Sequence, residues 1–459
     1  MGRRPTPATQ HGVRVRQRGG PLELPWDFWR FWAASSVSGL GDGLMLSAFP
    51  LLAVHYTRDP LAVSGISAAA QAPWLVFGLL AGGLVDRWDR RVTMLGADIV
   101  RTVLVGGLAA LVAFDVGNIW VMLAVLFLLG TAQTFFDSAA QAVIPRVAGR
   151  ESLVRANGLL QGGATVLVQF AGPAAGAALF ATAPALPLTV DAVSFALGVA
   201  LLTGISGTFR SADTAPSVAD RASVRSLLGS AAEGLRWLRG DRVVRVLAAA
   251  TVLLGVGSAA AWGVMVLFAE ERLRLGSTGY GLLLTSSAVG SVIGSLLAAP
   301  LARRLPIRLL LTGSAAGSGV AFAGLAATDS AIIGAVLLAL NGLMVVVWNV
   351  VTVSERQARI PDALVGRVTA AYRVLAWGGM PLGGLLGGVL GSTLGLRPAV
   401  LAAALLLAFA AVLIALALPL PGATEKQPTT TLPEPRSSSM VSGSKSTNTD
   451  PVKFGKIIK

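Results

Sequence analysis

The sequence predicts an all-α polytopic membrane protein whose twelve transmembrane helices form two parallel six-helix halves. Three observations predict it. Of 459 residues, 54% are hydrophobic and only 13% charged, where soluble domains carry about 25% charged residues. Mean hydropathy is +0.70, and long apolar runs recur along most of the chain. Third, the chain repeats itself at an offset of 216 residues. Gly39-Leu-Gly-Asp-Gly43 faces Gly255-Val-Gly-Ser-Ala259, Gly78 faces Gly294, Arg87 faces Arg303, and Ile144-Pro145 faces Ile360-Pro361. That offset covers an even number of spans, so the halves share one orientation, a known transporter arrangement.

The elements follow in order. Residues 1–25 are an Arg-bearing cytoplasmic tail. No small-residue cleavage site follows the first apolar segment, so it reads as a span and not as a leader. The cluster Trp26, Phe28, Trp29, Phe31, Trp32 reads as an interfacial belt. Residues 26–206 form the N-terminal half, with spans near 28–55, 60–85, 92–114, 118–140, 153–181 and 186–206. Residues 207–242 are a basic cytoplasmic loop. Residues 243–420 form the C-terminal half, with spans near 243–269, 277–302, 307–327, 331–353, 366–391 and 397–419. Residues 421–459 hold every lysine of the chain among Ser, Thr and Pro, which predicts a disordered tail.

With both termini cytoplasmic, all Lys and Arg except Arg58, Arg272, Arg274 and Arg397 fall on the inner side. The net charge of +14 is therefore a topology signal and not a nucleic-acid footprint. The absence of cysteine removes disulfides, thiolate metal sites and thiol chemistry. No P-loop, zinc-protease motif or nucleophile elbow is present, so the reading is of a non-enzyme with no cofactor and no metal.

Three groups of residues carry functional expectations. Gly78 to Arg91 reads G-L-L-A-G-G-L-V-D-R-W-D-R-R. Gly78 and Gly82 share one helix face, which permits close packing, and Asp86 then meets Arg87, Arg90 and Arg91 at the helix exit. Gly163, Gly172, Pro173 and Gly176 form a second spaced set, in which proline removes a backbone donor mid-span. Asp42 lies mid-way along span one between glycines. A carboxylate there costs a few kcal/mol unless protonated, paired or wetted. It is either a proton-exchanging acid or a structural one. Asp98 and Arg101, three apart, read as a pair within or between helices, and Asp191 as an interface or capping acid.

These motifs resemble the major facilitator superfamily. Gly78 to Arg91 resembles its loop motif G-x-x-x-G-x-x-x-D-R-x-G-R-R, with Asp89 where the family has Gly, implying a tighter or differently capped turn. The resemblance implies that Asp86 caps a helix near Gly366 to Thr369, and that the arginines pair with acids such as Asp137. Gly163 to Gly176 resembles the fifth-helix motif of the exporters, G-x8-G-P-x-x-G. F-W-A-A-S-S-V-S-G-L-G-D-G, Ile144 to Gly158 and Met380 to Gly384 resemble the drug:proton antiporter-3 branch, which includes macrolide and enterobactin exporters. Many proton antiporters of the superfamily carry Arg four residues before a span-four Gly; here Leu126 precedes Gly130.

The expectation is a monomeric secondary exporter of hydrophobic or amphipathic small molecules in a bacterial cytoplasmic membrane, energised by proton antiport at Asp42. Asp42, Trp262, Asn341, Trp348 and Asn349 are the expected substrate-lining residues, since indoles and amides suit drug-like ligands. The alternatives are a siderophore exporter, a lysophospholipid translocator and a non-transporting receptor-like protein.

Overall fold

The structure is a computed structural model, and it describes residues 24–85, 88–205, 233–360 and 364–418. The expectations for the N-terminal tail, Asp86, Arg87, most of the central loop and the C-terminal tail lie outside those residues. Twelve helices are long and apolar enough to cross a membrane. Spans one to six are Trp26–Tyr56, Pro60–Val85, Arg90–Ala113, Ile119–Ala148, Leu153–Thr182 and Ala185–Thr203. Spans seven to ten are Arg242–Gly263, Ser277–Arg304, Ile307–Ala327 and Ala331–Arg359. Span eleven is built from Val365–Gly378 and Met380–Leu394, and span twelve is Leu396–Ala417.

Spans four and ten run several residues beyond the apolar runs that predict them. Their last turns carry Arg146, and Arg356 with Arg359. Such long cationic side chains suit helix ends that reach into the membrane interface.

Three spans are interrupted. Span five passes through a π-helical segment, Thr165–Ala171, just before Pro173. Proline has no N–H to donate to the preceding turn, so a backbone bond is missing there and the helix rewinds. Gly172 N–H accordingly donates to Leu167 O, five residues back. Span seven stops at Gly263, and a separate short helix, Met265–Glu271, follows. Span eleven changes at Gly379.

Apolar packing divides along the membrane normal. On the face away from Trp26 and Ala417, one cluster joins both halves: Leu52 and Phe195 of the first pack in the same core as Phe268, Phe322 and Leu407 of the second. Toward the face of Trp26 and Ala417 the described clusters each belong to one half. Arg58 and Glu270 bridge the halves on the far face through two hydrogen bonds, 2.6 and 2.9 Å. The hydrogen bond to Glu270 holds the Arg58 guanidinium above the ordinary arginine pKa.

Candidate functional site

The site is assembled from small residues that let helices close in, and from the few polar groups those helices carry. Span five presses on span one through its motif. A Cβ at Gly176 would lie 2.2 Å from Leu44 O, and one at Gly172 2.5 Å from Gly43 Cα. Gly163 makes only ordinary contacts, with Trp32 and Ser36. The tight part of the motif therefore abuts the residues immediately after Asp42. The other side of that segment meets the second half: Pro173 O would lie 2.7 Å from a Cβ at Gly281 of span eight.

Asp42 is ion-paired. Its Oδ1 accepts a hydrogen bond from Arg101 Nη2 at 2.6 Å, and Arg101 Nη1 donates to Asp98 Oδ1 at 3.0 Å. Asp98 and Arg101 pair within one helix because a spacing of three puts them on one face. The Arg101 guanidinium also sits over the Phe195 ring, 3.8 Å from its centroid. Its side chain is 2% exposed, against 38% for Asp42. Asp42 thus faces open space, while Arg101 is clamped behind it. A fully buried guanidinium needs several compensating groups, and two carboxylates with an aromatic face supply them.

Asp191 of span six is buried on the same wall and accepts from Ser194 Oγ at 3.4 Å. It makes no cap to its helix. Asp137 accepts from Gln133 Nε2 at 2.9 Å. Arg90 donates to Ala142 O, and Arg91 to Leu202 O and Thr203 O. Arg91 stands at the start of span three beside the end of span six, where Thr203 is the last helical residue.

Asp89 explains the departure from the loop motif. It is the N-cap of span three, with Oδ1 accepting from Arg91 N at 2.9 Å and Val92 N at 3.3 Å. A carboxylate there satisfies two orphan donors and the positive helix end, which glycine cannot do. Gly78 and Gly82 fall in span two.

Two cavities meet between the halves. One, about 760 Å³, is walled by Asp42, Arg101, Gln133, Gln169 and Asp191. The other, about 530 Å³, is walled by Thr251, Ser258, Asn341, Trp348, Asn349 and Trp377. Ser67, Gln71 and Trp262 line both, so the two are one chamber. Of the expected lining residues, Trp262, Asn341, Trp348 and Asn349 stand in the second cavity and Asp42 in the first. The sequence reading missed Gln71, Gln133 and Gln169; a lone amide inside an apolar run is the signal that marks them. The 216-residue offset also maps one cavity on the other: Asp42 onto Ser258, Gln133 onto Asn349, Asp98 onto Ser314, Arg101 onto Gly317, Asp191 onto Leu407. The first half is charged and the second is neutral and aromatic.

Twelve spans in two halves around a shared polar chamber define a major facilitator superfamily transporter, and not an enzyme. The chain belongs to the Transmembrane secretion effector family of that superfamily, matching it over residues 21–447. It is 28% identical over 391 residues to the multidrug efflux pump Tap of Mycobacterium tuberculosis, covering 81% of this chain and 88% of that one. An MFS-type transporter of the same organism is 28% identical over 381 residues, 76% of this chain and 82% of that one. Macrolide efflux protein A of Streptococcus pyogenes is 30% identical over a shorter stretch, 29% of this chain and 33% of that one. Among solved structures, a bacterial homologue of the iron transporter ferroportin in an inward-facing state superposes with a TM-score of 0.65 at 17% identity, over 84% of this chain and 97% of that one. At that identity the likeness concerns the fold alone.

Proposed function

We propose that the protein exports hydrophobic or amphipathic small molecules, neutral or cationic, across a bacterial cytoplasmic membrane by alternating access, with both termini in the cytoplasm. The single observation that carries this reading is the chamber's lining. It joins a carboxylate wall to an indole and amide wall, and Arg101, the one cation among its described lining residues, is buried behind Asp42. Such a surface accommodates a drug-sized apolar body and repels multiply anionic cargo. That weighs against phospholipid headgroups and anionic siderophores. The printed activities of Tap and macrolide efflux protein A point the same way.

The halves are joined on the far face by the mixed apolar cluster and the Arg58–Glu270 pair, which supports reading this state as one whose chamber faces the cytoplasm. Alternating access then requires the mixed apolar cluster and the Arg58–Glu270 pair to part. The Asp86 contact, on the cytoplasmic side, would hold the opposite state. Proton exchange at Asp42 would bias the cycle, because its bond to Arg101 depends on its charge. Asp42→Asn should abolish pH-gradient-driven efflux from everted vesicles while leaving folded protein in the membrane. Efflux unchanged in that variant sinks the antiport reading.

A further inference from the structure

The charged wall of the chamber has more carboxylates than cations to neutralise them. Arg101 gives one amino group to Asp42 and the other to Asp98. Asp191 receives neither. The residue is 1% exposed, and the Ser194 hydroxyl, 3.4 Å from its carboxyl, makes its shorter bond to the Asp191 main-chain oxygen at 2.8 Å. An ionised carboxylate buried in a membrane protein without a cation is costly by several kcal/mol, and a proton removes the charge.

A second observation is that polar atoms on this seam are left unsatisfied. Asp98 Oδ2 and Ser38 Oγ are both buried with no partner. They lie 3.2 and 2.7 Å from the Cβ position of Gly198, on the same helix as Asp191. Buried polar atoms without partners are rare in native interiors.

A third comes from the repeat. Gly41 lies on Asp191 as Gly257 lies on Leu407, with a Cβ at Gly41 2.1 Å from Asp191 Oδ1 and one at Gly257 2.4 Å from Leu407 Cδ1. The two pairs are related by the 216-residue offset. The same packing position is filled by leucine in the second half, so packing does not demand a carboxylate in the first.

We propose that Asp191 carries the exchanged proton in this state, and that Arg101 decides which carboxylate of the wall is left without a cation. This rests on the proton-exchange reading above. The groups facing Asp191 are Asp42 of span one and Asp98 and Arg101 of span three; the packed segment of span five, Gly172–Thr182, has no titratable side chain. On release, the Asp191 O–H bond breaks, the proton passes to the chamber, and the electron pair stays on the carboxylate. Arg101 remains protonated and turns toward Asp191, which frees Asp42 to accept a proton or a cationic group of the cargo.

The test is infrared difference spectroscopy of the full chain in nanodiscs across a pH step, with no ligand. Wild type should show the C=O stretch of a protonated carboxylic acid at neutral pH. Asp191→Asn should lose that band and Asp98→Asn should keep it. Asp191→Leu, which copies Leu407, should fold with wild-type helix content and lack the band. A band unchanged in both Asp191 variants, or no band in wild type, overturns the proposal. The parent reading is tested apart: if the band is lost with Asp191 but wild type moves ethidium in everted vesicles with no dependence on the pH gradient, antiport fails and the protonation of Asp191 stands.

Discussion

Cutting the ion pair between Arg58 and Glu270 should shift the balance between the two faces of the transporter by about five-fold. The pair is bidentate, at 2.6 and 2.9 Å, which favours it over a single contact. It is also 59% and 40% exposed, so solvent and salt screen most of its Coulomb energy. Exposed pairs of this kind contribute about 1 kcal/mol at most, which corresponds to a factor of about five in a two-state population. The measurement is simple because the chain has no cysteine. Ser64→Cys places one thiol at a position fully buried, where span two meets Gly388 of span eleven. We predict that adding Glu270→Gln or Arg58→Gln raises its labelling by an impermeant maleimide from the far face about five-fold. Exchanging the two charges should restore the parent rate, and high salt should raise labelling in the parent but not in the Gln variants. Labelling within two-fold of the parent in both Gln variants, or no restoration by the exchange, would refute the idea that this pair holds the far face closed.

Two further predictions concern packing and capping. Gly176→Ala forces a methyl group onto Leu44 O, 2.2 Å away; it should cost about 1–3 kcal/mol, read as a lower unfolding midpoint in detergent, together with reduced transport, since the displaced segment adjoins Asp42. Asp89→Ala should cost about 1 kcal/mol by uncapping span three, while Asp89→Asn, which keeps the acceptor, should stay near wild type in the same thermal assay.

The parts of this fold that depend on local composition were legible from the chain. Twelve spans and the two-half repeat need only apolar runs and an offset. What escaped depends on distant pairs. Asp42 looks like a lone membrane carboxylate in sequence, and its partner Arg101 is 59 residues away. Asp191 looks like a helix-start acid because it lies close to the beginning of span six, but helix phase turns it inward against Gly41. Asp89 could be seen as a departure from a motif, and its role as an N-cap was foreshadowed by its place just before Arg90. The break after Gly263 has no proline to announce it.

The mapping of Asp42, Asp98, Arg101 and Asp191 onto Ser258, Ser314, Gly317 and Leu407 has an evolutionary reading. The first copy carries three carboxylates and a guanidinium at these four positions, and the second copy carries none. The other copy, with Trp262, Trp348 and Asn349, is free to change its side chains without disturbing a buried charge balance. Substitutions in spans seven, ten and eleven can therefore reshape the neutral wall of the chamber while the charged positions of the first half are left intact.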